Sequence, residues 1–131
     1  MTILVVEDEP AVRRLACQVL QRHGYKTVEA GDGAEALAIL SSSETPIGVV
    51  LTDIRMPNLN GLELERTIRE RWPAIPVLFM SGEVTREWVV KAVRDHAVNL
   101  LRKPFTAEDL LEALQEVLQS TAKASRRTSN S

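Results

Sequence analysis

Five short strand-like runs recur along the sequence, and each is followed by a segment of helical period. The runs are Ile3–Val6, Lys26–Ala30, Gly48–Thr52, Val77–Met80 and Val98–Leu101. The first, third and fourth are apolar at nearly every position, so both faces of those strands must be covered. Pro10 opens a predicted helix that Gly24 closes, with Val12, Leu15, Ala16, Val19 and Leu20 on its buried stripe and Cys17 off it. A second helix starts at Gly33 and is expected to turn Ala34, Leu37 and Ala38 inward. A third, Gly61–Trp72, carries Leu64, Ile68 and Trp72 at i, i+4 and i+8, and Pro73 and Pro76 fence it from the next strand. A fourth spans Thr85–His96. The last begins at a capping box, Thr106 to Asp109, and continues through Leu110, Leu111, Leu114 and Leu118.

Strands covered on both faces and joined through helices form a parallel sheet. The expected class is therefore α/β with a (βα)5 pattern. Five strands are too few to close an eight-stranded barrel. The natural solution is an open, doubly wound, flavodoxin-like sheet of order 2-1-3-4-5, one domain over residues 1–119. In such a sheet ligands bind outside the carboxyl ends of the strands, near the reversal of strand order between the first and third.

Composition narrows the function classes. The 131 residues are 44% hydrophobic and 26% charged with a net charge of −2, which suits one globular domain. That charge gives no footprint for DNA or an anionic membrane, and five aromatics are too few for a base-stacking platform. No apolar run approaches the length of a membrane span. Met1 leads straight into a strand without a basic leader, and the single Cys17 leaves no internal disulfide, so a cytoplasmic location is the expectation. Residues 120–131 read STAKASRRTSNS; with three basic residues and no acid, this tail leaves a body of net −5 and is expected to be disordered.

Four of the five strands deliver a polar group to their carboxyl ends. Glu7, Asp8 and Glu9 follow the first, Asp53 ends the third, Ser81 follows the fourth and Lys103 the fifth. Each has an ordinary structural explanation: acids before the Pro10 helix, a turn at Asp53, turn chemistry at Ser81-Gly82, a surface lysine. Together on one edge they require several coincidences. An ionised Asp53 at the end of an apolar strand, near Glu7 and Asp8, is costly without a counter-charge. A divalent cation meets that cost, and Mg²⁺ favours such hard oxygen ligands. Lys103 offers a point charge for phosphate oxygens and Ser81 a hydroxyl donor. Asp53 is then free to act as a nucleophile toward phosphorus.

On these motifs the chain resembles the receiver domain of two-component response regulators over about residues 2–119. The resemblance rests on Leu-Val-Val-Glu7-Asp8-Glu9-Pro10, on Leu-Thr-Asp53-Ile-Arg-Met-Pro57 with Gly61, on Pro76-Val-Leu-Phe-Met-Ser81-Gly82, and on Lys103-Pro104-Phe105. It implies that Asp53 is the phospho-acceptor and that Asp8 ligates Mg²⁺ directly, Glu7 acting through a metal-bound water. Asp53 and the backbone carbonyl of Arg55 would complete the ligands, and Ser81 and Lys103 would hold the phosphoryl oxygens. The Lys103–Pro104 peptide is expected to be cis. The implied donor is a phosphohistidine on a sensor histidine kinase or phosphotransfer protein, since His23 and His96 are not placed to serve. The implied module is a signalling receiver rather than an enzyme. Its output would pass to a downstream protein through the face built from the Thr85–His96 helix, the fifth strand and the last helix, with a phosphorylation-dependent homodimer as one form.

Two positions depart from the family pattern. Leu100 stands where the family usually has Tyr or Phe, so an aromatic rotamer readout is lost, and His96 precedes Ala97 where a small residue is usual. Arg55 and Glu83, two residues past Asp53 and Ser81, flank the expected phosphoryl site and would pair across it. A competing pattern, Gly31-Asp-Gly33-Ala-Glu-Ala36, fits a dinucleotide fingerprint, but Asp32 and Glu35 would set negative charge where a pyrophosphate must sit. Met1 directly before the first strand and the tail after the last helix favour a stand-alone receiver over one excised from a hybrid kinase.

Overall fold

In the computed structural model, residues 1–42, 44–56, 59–82 and 99–129 are described. Five strands, β1 (Thr2–Val6), β2 (Lys26–Ala30), β3 (Val49–Asp53), β4 (Val77–Ser81) and β5 (Asn99–Arg102), form one sheet. Its order is β2-β1-β3-β4-β5 and every pairing is parallel. The helices are α1 (Pro10–Arg22), α2 (Gly33–Ser41), α3 (Gly61–Arg71) and a C-terminal α4 (Ala107–Ser129). The expected Thr85–His96 helix, Glu83, His96 and Pro57 lie outside the described residues.

Strand period 2 divides the core into two layers. Ile3, Val5, Val49, Leu51, Leu78, Met80 and Leu101 face α1 and α4, where they meet Ala16, Cys17, Leu20, Leu110, Leu114 and Val117. Leu4, Val6, Ala30 and Val50 face the other way, against Ala36 and Leu40 of α2 and Leu64 and Ile68 of α3. A third group joins Ile54 and Phe79, with Leu100 packed beside them. Leu100, at the expected switch position, thus adds an aliphatic contact to the β4–β5 end of the sheet.

The caps are local and sequence-encoded. Asp32 accepts from the Glu35 N–H at 2.8 Å to start α2. Asn60 and Glu63 form a capping box on α3. Thr106 and Asp109 form another before α4, with bonds of 3.0 and 3.1 Å. Gly24 ends α1 with φ of +88°, a left-handed conformation open to glycine.

Two expectations are corrected. Cys17 is a core residue at 4% exposure, whereas Leu15 is 54% exposed. The apolar arc of α1 is wider than one contact face, and the face set by β1 and α4 takes Ala16, Cys17 and Leu20. On α2, Ala34 and Ala38 are exposed and the packed face is Gly33, Ala36 and Leu40. The last helix, α4, runs to Ser129.

Candidate functional site

Strand register carries the site beyond the sheet. Val5 pairs with Leu51 and Val6 with Thr52, so Glu7 leaves β1 level with Asp53 at the end of β3. Both continue rows already facing the α1 and α4 side, Ile3-Val5-Glu7 and Val49-Leu51-Asp53. Lys103 continues the row of Leu101. Alternation thus aims two acids and one base at a single point.

There the Lys103 ammonium bridges both acids, with Nζ 2.6 Å from Glu7 Oε2 and 3.2 Å from Asp53 Oδ2. Glu7 is wholly buried and Asp53 is 8% exposed. The Glu9 N–H donates to Glu7 Oε1 at 3.2 Å. Carboxylate oxygens of Glu7, Asp8 and Asp53 lie within 4.8 Å of one another, Asp8 being exposed at the rim. Ser81 ends β4, buried, and its carbonyl accepts the Lys103 N–H at 2.9 Å. The Lys103–Pro104 peptide is cis. Arg55 is exposed just past Asp53, while its expected partner Glu83 lies outside the described residues.

Asp53 is held from below. The Thr52 hydroxyl donates to the Asp53 carbonyl at 2.9 Å. The Ile54 N–H donates to the Met80 carbonyl at 3.1 Å and the Gly61 N–H to the Ile54 carbonyl at 2.8 Å. Gly61 lies so close that a Cβ there would collide with the Asp53 carbonyl oxygen. The start of α3 therefore buttresses the end of β3.

Electrostatics follow from burial. Desolvation pushes the Glu7 carboxyl up to about 7; its Lys103 hydrogen bond opposes the shift and the Asp53 charge adds to it. Burial also raises Asp53, with Lys103 pulling against it. For Lys103, burial would favour the neutral amine, but its bond to Glu7 and the charges of Asp53 and Glu7 outweigh this and raise its pKa. Lys103 thus stays charged and bridges two of the three clustered carboxylates. Hard oxygen donors in excess of positive charge fit a divalent metal.

The dinucleotide pattern meets a different arrangement. The Gly31 N–H donates to Glu35 Oε2 at 2.9 Å, so a carboxylate already occupies a donor that a phosphate would need.

A family model for the response regulator receiver domain matches residues 3–115. The chain belongs to that family. The receiver is 36% identical over 121 residues to a chemotaxis protein CheY homolog of Campylobacter jejuni, covering 90% of this chain and 92% of that protein. It is 35% identical over 118 residues to the sensor kinase CckA of Brucella abortus, but spans only 12% of that protein's length. A solved receiver domain protein from Clostridium thermocellum superposes with a TM-score of 0.83 at 29% identity, covering 94% of this chain and 98% of that one. Receiver domains are signalling modules, and the family implies phosphoryl acceptance. Among the described residues no helix is long and apolar enough to cross a membrane.

Sequence reasoning passed over Arg13. Its Nη1 donates to the Glu7 carbonyl oxygen at 2.8 Å while its Nε donates to Glu29 Oε1 at 2.9 Å. The available signal was its place one turn into α1, on the polar side of a helix that starts beside the acids.

Proposed function

We propose that the receiver accepts a phosphoryl group on the Asp53 carboxylate from a phosphohistidine of a sensor histidine kinase or phosphotransfer protein. The observation that carries this reading is the Lys103 bridge to both Glu7 and Asp53 at the carboxyl edge of the sheet. An Asp53 oxygen attacks phosphorus as the P–N bond breaks. The bonding pair leaves with the donor imidazole, which takes up a proton from solvent. Lys103 exchanges carboxylate contacts for phosphoryl oxygens, and the Ser81 hydroxyl donates to another. Such transfers depend on positioning and electrostatics more than on covalent participation.

Asp8, Asp53 and the Arg55 carbonyl would hold Mg²⁺ directly, with Glu7 acting through a metal-bound water. Bound there, Mg²⁺ would neutralise charge between the carboxylates and the incoming phosphoryl oxygens. The apolar groove of Val12, Leu15, Pro104 and Phe105, about 270 Å³ and adjoining Lys103, supports a protein rather than a small molecule as donor. The added charge of the phosphoryl group biases the Ser81 end of the sheet and passes output to a downstream protein, or to a second copy as a homodimer. The same reading places the chain in the cytoplasm. Incubation with acetyl phosphate and Mg²⁺ should add one phosphate by intact mass, and EDTA or Asp53→Asn should abolish it. An unmodified wild-type protein would refute the reading.

A further inference from the structure

We propose that Arg13 is a positioning residue for the acidic site, fixing the turn that presents Asp8. The inference rests on the Mg²⁺ reading of that site. One guanidinium makes two bonds in different directions, to the Glu29 carboxylate on β2 and to the Glu7 backbone carbonyl. Glu29 is anchored by strand register, opposite Val5. The Glu7 N–H is tied separately to the Ala30 carbonyl at 3.1 Å. Arg13 therefore staples the exit of β1 to the end of β2.

The consequence falls on the next residue. The Glu7 carbonyl and the Asp8 N–H share one rigid peptide plane. Holding the carbonyl oxygen sets the tilt of that plane and with it the direction in which Asp8 leaves the chain. Asp8 is the exposed member of the carboxylate cluster, so burial does little to hold it. The Arg13 side chain is itself only 20% exposed, which favours a fixed fork over a mobile surface charge.

Charge and position predict opposite signs. As a charge, Arg13 repels a cation, and its removal would tighten Mg²⁺ binding. As a positioning group, it pre-sets a ligand, and its removal weakens binding. Outer partners of metal ligands typically contribute about 10- to 100-fold in affinity.

The test is calorimetric titration of Mg²⁺ into metal-stripped wild type, Arg13→Ala and Arg13→Lys, beside the melting temperature of each without metal. Wild type should bind. Arg13→Ala should bind about tenfold more weakly or worse, and Arg13→Lys, which keeps the charge but not the fork, should also bind more weakly than wild type. Equal or tighter binding in Arg13→Ala overturns the proposal, even if its melting temperature falls. Should Arg13→Ala fail to fold, Arg13→Lys decides, and wild-type affinity in that variant overturns it. Absence of Mg²⁺ binding in wild type itself removes the metal reading instead.

Discussion

Glu7 is buried, ionisable and next to a second carboxylate, so its protonation is coupled to folding. Burial pushes its folded pKa up to about 7, above the ordinary value of a free glutamate. Below the unfolded value both states hold the proton and the stabilisation is fully present. As pH rises from about 4.5 to about 7, the folded state keeps a proton that the unfolded state releases, and stability is lost. In EDTA, the melting temperature of wild type minus that of Glu7→Gln should therefore fall across this window, and Mg²⁺ should reduce the fall. A difference independent of pH contradicts the account. The site acids and Lys103 were legible because each sits at a strand end. Arg13 was not, because of its two bonds the one that reaches the site goes to the Glu7 backbone carbonyl, and its place one turn into α1 was only a weak signal.

At the scale of elements, the decisive contact is α3 against β3. Gly61 admits the Asp53 carbonyl where any side chain would clash. Gly61→Ala should lower stability by about 1–3 kcal/mol, as overpacked sites do. It should also slow phosphorylation by acetyl phosphate at temperatures where the variant is folded. A variant of wild-type stability and rate would show that the contact relaxes freely. Most strand positions were readable from their apolar runs, and two helix starts from Pro10 and the Thr106–Asp109 box, but helix faces were read less well. Cys17 replaces Leu15 in the core and Ala36 replaces Ala34. Apolarity marks a helix's arc, while the neighbouring elements choose which part of the arc is covered.

For the whole molecule, the strand order gathers Glu7, Asp8, Asp53, Ser81 and Lys103 at one edge of the sheet, with the exposed Leu15 and the half-buried Phe105 beside them. That arrangement separates chemistry from docking. Leu15→Asp should slow phosphotransfer from a protein phosphohistidine donor by tenfold or so, the cost of about 1.4 kcal/mol in a contact, and leave acetyl phosphate labelling unchanged. Equal loss with both donors would place the effect in the site rather than the groove. The topology was legible because parallel strands with helical crossovers leave few arrangements for five strands. The central claim is that Asp53 forms the acyl phosphate. Borohydride reduction of the phosphorylated protein converts an aspartyl phosphate to homoserine, which tandem mass spectrometry locates. The account predicts homoserine at position 53 and at no other carboxylate; reduction at Asp8 or Glu7 with residue 53 intact would contradict it.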